Sequence, residues 1–321
     1  MSTKKKILFI INPISGTGNK ENVETVIANR LDTTNYEFTI RKTEYAGHAS
    51  VLAREAVNMS FDTVVAVGGD GTVNEVARAI VETPTALGII PCGSGNGLAR
   101  HLRIPMHTEK AIDIINQGVI HDLDYGKING RSFFCTCGVG FDAFVSLKFA
   151  EGGKRGFLSY VEKTLREGIR YKPETYTISY GDHTEEQKAF LIACANASQY
   201  GNNAYIAPGA SMKDGLMDVI VMEPFYTIEA PQVIMQLFNK SLPSNNHVKV
   251  QQASKISILR PSEGAVHLDG DPMTMGREIQ VEILRGKFRV VVNPSPARPE
   301  GKKNPLRTFA DLCTEIIGIR N

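Results

Sequence analysis

The apolar run Val64-Val65-Ala66-Val67 ends in Gly68-Gly69-Asp70-Gly71, and a helical pattern follows at once through Thr72-Val73-Asn74-Glu75. A buried strand that turns through glycines into a helix gathers backbone N–H groups and a helix N-terminus at one spot, which favours a bound anion such as phosphate. Asp70 inside that turn would repel a phosphate unless a cation stood between them, so the pattern points to phosphate with Mg²⁺. Thr72 and Glu75 also have the spacing of a capping box, which leaves Glu75 open between a cap and a ligand contact. Two further glycine loops, Asn12-Pro13-Ile14-Ser15-Gly16-Thr17-Gly18 and Pro91-Cys92-Gly93-Ser94-Gly95-Asn96-Gly97, follow apolar runs of their own. Neither fits the P-loop or the dinucleotide fingerprint. Three such loops at strand ends, where open α/β sheets bind ligands, predict a nucleotide site.

The elements that must position these loops are legible. β-branched apolar runs at 7–12, 36–43, 62–68 and 86–91 alternate with helical spacing at 22–31, 48–59, 73–81 and 108–117. That rhythm predicts a parallel sheet covered by helices, a Rossmann-like α/β nucleotide-binding domain over residues 1–118. Beyond it, alternating stretches at 175–180, 255–259, 278–284 and 287–292 predict a mainly antiparallel, sandwich-like β domain over 119–299. Helical patterns at 157–169 and 228–238 interrupt it, and a last amphipathic pattern at 306–317 places 300–321 back against the first domain.

Composition narrows the function classes. Thirty-six Lys and Arg against 34 Asp and Glu leave a net charge of +2, which excludes a dedicated nucleic-acid binder. Five Cys without a CxxC pair signal neither a disulfide framework nor a zinc site, and fit a reducing cytoplasm. No apolar run reaches the 18 or more residues of a membrane span, so any contact with lipid would be peripheral.

Taken together, Asn12-Pro13 with Ser15-Gly16, the Gly68 to Val76 segment and Gly93-Ser94-Gly95-Asn96 resemble the diacylglycerol kinase catalytic domain superfamily, which includes bacterial lipid kinases and sphingosine kinases. Lys42-Thr43, Gly47-His48-Ala49, Asp214-Gly215-Leu216 and Asp269-Gly270-Asp271 extend the resemblance over nearly the whole chain. It implies an active site in the cleft between an ATP-binding domain and a β-rich lipid-substrate domain, at the inner leaflet of a membrane. By motif position, Asn12, Pro13, Ser15, Gly16, Thr43, Gly68, Gly69, Asp70, Gly71, Thr72, Asn74, Glu75, Ser94, Gly95 and Asn96 would surround the nucleotide. Asp214 with the carbonyls of Ser211 and Leu216 resembles the family's structural Mg²⁺ site. Asp271 stands where the family has its catalytic base, and Asp70 would position Mg²⁺ or share that role.

Two departures bear on the chemistry. The family's usual DGE triplet is Asp269-Gly270-Asp271 here, one methylene shorter at the base, and Gly97 replaces the Asp that usually follows the asparagine. Asp142 lies where sphingosine kinases engage the lipid head group, and Asp124 is expected to join the acidic group around the cleft. The implied reaction is phosphoryl transfer from ATP to diacylglycerol. The alternatives are a sphingoid-base kinase, a soluble-metabolite kinase of the NAD kinase type, and a non-catalytic nucleotide binder. The 157–169 segment, with Lys154, Arg155, Arg166, Arg170 and Lys172 nearby, is a candidate for peripheral membrane contact. Homodimers also occur in the family.

Overall fold

The computed structural model describes residues 4–15, 22–151 and 171–294. It opens with β1 (Lys5–Ile11), α1 (Val23–Arg30), β2 (Tyr36–Lys42), α2 (His48–Asn58), β3 (Thr63–Gly68), α3 (Asp70–Ile80) and β4 (Ala86–Pro91). Two more helices follow, α4 (Gly97–His101) and α5 (Thr108–Gln117). The four strands are parallel, in the order β2-β1-β3-β4, and lie within two residues of the expected runs. All of β3 and β4 is buried, as a parallel strand covered on both faces must be. Val64, Val65 and Val67 have no exposed surface, and each such burial is worth about 1.5–3 kcal/mol, which anchors the glycine loop that follows them.

Helix α3 starts at Asp70, three residues before the sequence-based start, with Gly69 as its N-cap. The capping box expected of Thr72 and Glu75 therefore does not form, since both lie inside the helix.

The remainder comprises β5 (Ile120–Ile128), β6 (Arg131–Phe133), β7 (Thr136–Gly140), α6 (Phe141–Glu151), β8 (Glu174–Tyr180), β9 (His183–Ala189), β10 (Leu191–Ala195) and β11 (Met217–Met222). After these come α7 (Ala230–Asn239), β12 (Val248–Ala253), β13 (Lys255–Leu259), β14 (Gly264–Leu268), β15 (Asp271–Met275) and β16 (Glu278–Val291). An antiparallel sheet β12-β11-β10-β7-β14-β15 forms one layer of a sandwich. The other layer, built on β16 with β13, β8, β9, β5 and β6, is continuous with the first sheet, because Val290 pairs in parallel with Leu87 of β4. Phe133, Cys137, Ile192, Val219 and Ile256 pack between the layers. The runs at 278–284 and 287–292, expected as two strands, are one strand with a register shift between Leu284 and Phe288. Helix α7 follows a short 3₁₀ turn, Thr227–Glu229, close to its expected place. The patterns at 157–169 and 306–317, and the return of 300–321, lie outside the described residues.

Candidate functional site

Asp70 ties the second and third glycine loops together. The Asn96 and Gly97 N–H groups donate to its two oxygens at 2.7 Å each, so the first residue of α3 caps the short helix α4. Each Asp70 oxygen thus already accepts one backbone N–H, while the side chain also lines the cleft. The approach requires glycine: a Cβ on Gly93 would stand 2.6 Å from Gly69 Cα, and one on Gly95 2.6 Å from Asp70 Oδ2. Asn96 has φ +51° and closes the loop on itself, its amide donating to the Gly93 carbonyl at 2.6 Å and accepting the Gly93 N–H at 3.1 Å. It shapes the loop from within and does not line the cleft, contrary to its expected nucleotide contact. Gly68 is also off the cleft; a Cβ there would strike Thr72 Oγ1 at 2.5 Å.

The first loop joins the second where Asn12 Nδ2 donates to Thr72 Oγ1 at 3.0 Å. Glu75 accepts the N–H groups of Gly47 and Ala49 at 3.0 and 3.1 Å, so it caps α2 and not its own helix. Among the described residues no side chain caps α3 itself, which leaves its first-turn N–H groups facing the cleft where an anion could bind. Asn12, Pro13, Ser15, Thr43, Gly69, Asp70, Gly71, Thr72, Asn74, Glu75, Ser94 and Gly95 all line that cleft. Gly16 lies outside the described residues.

The second domain faces these loops with the β14–β15 hairpin. Asp269 and Gly270 have φ +53° and +89°, the two-residue turn that Asp-Gly favours. The Asp269 carboxylate accepts N–H groups from Phe134, Cys135 and Thr136 at 2.7 to 3.1 Å, fastening the hairpin to β7. Burial lifts its carboxyl above the usual range against those donors. Asp271 follows on the cleft wall with 55% of its side chain exposed, and Arg78 of α3 places two guanidinium nitrogens 3.5 Å from its Oδ2. Burial raises the Asp271 carboxyl above its usual range, and the charge of Arg78 opposes that rise.

Asp142, in the first turn of α6, is buried and lines the same cavity. It accepts the Tyr200 hydroxyl at 2.9 Å and stands 3.0 Å from His267 Nε2. Gly138 makes room for this pair, since a Cβ there would lie 2.9 Å from Asp142 Oδ2. Beyond it the cavity becomes apolar, walled by Val145, Leu191, Ile206, Met222, Val233 and Leu237, and the whole volume is about 1170 Å³.

Four further predicted site residues lie elsewhere. Asp124 is buried away from the cleft and accepts the N–H groups of Gly215 and Gly286 at 2.7 and 2.8 Å, which corrects its place among the cleft acids. It fastens the 211–216 loop to the irregular turn of β16. Ser211, Asp214 and Leu216 belong to that loop, off the cleft, and Asp214 accepts the Leu216 N–H at 3.0 Å. Among the described residues no three His, Cys, Asp or Glu side chains converge to hold a metal. Sequence reasoning missed three side chains. His267 sits two residues before Asp269, a spacing that could have flagged it; Arg78 follows Glu75 at helical spacing; Tyr200 carried no signal.

Comparison with known proteins follows this geometry. Residues 6–128 match the diacylglycerol kinase catalytic domain, and residues 135–292 the YegS C-terminal NAD kinase beta sandwich-like domain. The chain is 27% identical over 276 residues to diacylglycerol kinase of Bacillus subtilis (strain 168), covering 83% of this chain and 90% of that one. It is 30% identical over 256 residues to "Probable lipid kinase YegS-like" of Yersinia pestis (strain Pestoides F), covering 76% and 83%. A solved diacylglycerol kinase structure from Bacillus anthracis str. Sterne shares the fold, with a TM-score of 0.73 and 23% identity over 92% of this chain and all of that one. An NAD kinase from Archaeoglobus fulgidus in complex with ATP shares it more distantly, with a TM-score of 0.52 and 13% identity over 98% of this chain and all of that one. By these matches over both domains, the chain belongs to the diacylglycerol kinase and YegS-like family of lipid kinases.

Proposed function

We propose that the chain transfers the γ-phosphate of ATP to a hydroxyl of a membrane lipid, with diacylglycerol as the acceptor. The observation that carries this reading is one continuous cavity with two unlike ends. Glycine loops and an uncapped helix N-terminus suit the triphosphate, an apolar chamber suits acyl chains, and Asp271 stands between them. Phosphoryl transfer needs mainly in-line positioning and neutralised charge, which the α3 N–H groups and the joined loops supply. Asp271 accepts the proton of the attacking hydroxyl, while the bond between the γ-phosphorus and the bridging oxygen breaks and ADP leaves.

An Mg²⁺ ion arriving on the nucleotide would be held mostly by phosphates and water with one or two carboxylates, and Asp70, which lines the cleft at the start of α3, is the carboxylate placed for it. Such an ion would neutralise phosphate charge. A structural ion on the Asp214 carboxylate and the carbonyls of Ser211 and Leu216 also suits hard oxygen donors, but it would stand apart from the reaction. Among the described residues no helix is long and apolar enough to cross a membrane. Peripheral contact has a suitable rim: Tyr226 and Ile228 are 80% and 88% exposed and flank Thr227, which lines the apolar chamber. Vesicle flotation should weaken on replacing both with Ser, and unchanged flotation would remove this rim from the proposal.

A sphingoid base is the second reading, favoured by Asp142 at the junction of the polar and apolar ends. The test is label transfer from γ-labelled ATP with Mg²⁺ to micelles holding diacylglycerol, sphingosine, dihydrosphingosine, ceramide or undecaprenol, with NAD as a soluble acceptor. Labelled diacylglycerol, lost in Asp271→Asn, is expected. Labelled sphingosine would select the second reading, labelled NAD a soluble-metabolite kinase, and ATP binding without product a non-catalytic role.

A further inference from the structure

The acidic side chains at the junction differ in what holds them. Asp70, Asp269 and Asp142 are each fixed by at least two hydrogen-bond donors. For Asp271 the only ion-pair partner among the described residues is Arg78, which comes from α3 of the first domain. Arg78 lies in the last turn of α3, the helix whose first turn forms the phosphate end of the cavity. Both terminal nitrogens of its guanidinium converge on one oxygen of Asp271, and its side chain is 35% exposed, so it is partly held by the surrounding protein. One rigid helix thus reaches both the phosphate site and the carboxylate of the other domain.

We propose that Arg78 is a positioning residue for phosphoryl transfer, holding Asp271 ionised and in place against the cleft wall. This rests on the reading of Asp271 as the proton acceptor. An aspartate is one methylene shorter than glutamate, and at this hairpin end no side-chain donor of its own domain holds it among the described residues; the guanidinium of Arg78 supplies that restraint from the first domain. The charged and titratable groups around Asp271 are Arg78 and Asp70 from α3, His267 from β14 and Asp269 in the adjoining turn. Burial and the negative charge of Asp70 favour the protonated carboxyl, which cannot accept a proton; Arg78 and His267 favour the ionised form. Of the two groups that favour the ionised form among the described residues, removing Arg78 leaves His267, so Asp271 would hold its proton to higher pH.

The experiment compares wild type with Arg78→Met and Arg78→Lys. For kcat/KM with whichever of dioctanoylglycerol or sphingosine micelles wild type phosphorylates, Arg78→Met should move the acid limb upward by about one pH unit. On the acid side of the limb the loss should approach tenfold and it should be largely recovered above the limb, with KM for ATP within twofold of wild type. Arg78→Lys should restore most of the limb. Titration of carboxyl-¹³C aspartate, with Asp271 identified from Asp271→Asn, reads the same effect without an acceptor. An unmoved limb and titration, or a loss equal at every pH, would overturn the proposal. A raised KM for ATP with unchanged kcat would also overturn it, making Arg78 a phosphate ligand. The two readings separate through Asp271→Asn. If that variant remains active, the proton-acceptor reading fails and Arg78 with it. If it binds ADP but does not turn over while Arg78→Met behaves as wild type, only Arg78 is refuted.

Discussion

Replacing Asp70 by Asn separates two roles for that carboxylate, a tie between loops and a seat for Mg²⁺. Each oxygen now accepts one backbone N–H at 2.7 Å, from Asn96 and from Gly97. The substituted carbonyl can keep one of these bonds, but the amide nitrogen then points a donor at the other N–H. A hydrogen bond to a charged group is worth about 1.5–3 kcal/mol, and an unsatisfied donor costs about 1–3 kcal/mol. Allowing for partial exposure of the site, docking of the third glycine loop should weaken by about 2–4 kcal/mol. At tenfold for each 1.4 kcal/mol, this is about 30- to 1000-fold in the docking equilibrium. Ser94 and Gly95 on that loop line the cleft, so nucleotide affinity should fall with it. Calorimetric titration with a non-hydrolysable ATP analogue, with and without Mg²⁺, checks the claim alongside the melting temperature. Affinity within threefold of wild type and an unchanged melt would refute the tie. Loss confined to the Mg²⁺ arm would return Asp70 to the metal.

Other substitutions probe the same packing. Gly93→Ala should weaken ADP binding at least tenfold, because its Cβ meets backbone at 2.6 Å, whereas Gly97→Ala, whose Cβ meets Gly201 N at 3.4 Å, should cost under about 1 kcal/mol of stability by urea titration. His101 accepts the Ser198 N–H on Nδ1 at 3.1 Å, and burial, helped by Arg103, pulls its pKa down to about 4. The folded state therefore binds this proton less readily than the unfolded chain. The stability it contributes is complete above about pH 6.5 and is lost as pH falls from there toward 4. The unfolding free energy of wild type from urea titration should drop across that window by about 2–3 kcal/mol more than that of His101→Gln, and parallel curves would remove His101 as the cause.

The sequence made the scaffold legible where composition is extreme. Apolar runs stopped by Asn12-Pro13, Gly68-Gly69 and Cys92-Gly93 marked strand ends to within two residues, because a buried parallel strand tolerates little else. The start of α3 was missed because Asp70-Gly71-Thr72 are turn-forming types, and their helicity comes from packing on β3 and from Asp70 bonding to α4. β16 read as two strands because Arg285-Gly286 breaks the alternation; the break is a bulge that Asp124 holds through the Gly286 N–H. Partners remote in sequence were not legible at all, such as Glu75 with Gly47 or Asp142 with His267. A carboxylate's type and motif position do not say whether a backbone amide has already claimed it.

That point orders the acidic residues of the site. Motif position gives the nucleotide or Mg²⁺ to Asp70 and Glu75, the lipid head group to Asp142 and the proton to Asp271, without saying which of them the fold already uses. In the fold, Asp70 and Glu75 cap helices, Asp269 fastens a hairpin, and Asp142 holds a tyrosine and a histidine. A carboxylate whose oxygens already accept two or more N–H or O–H groups has its lone pairs committed, which suits it to architecture more than to taking a proton. Asp271 has a single guanidinium at 3.5 Å, a half-exposed side chain and a carboxyl raised by burial, the combination that keeps a proton acceptor both available and basic. Among the acids that motif position singles out, the shortened base is thus the one least committed to holding the fold together, and its one ion pair among the described residues comes from the helix that also forms the phosphate site.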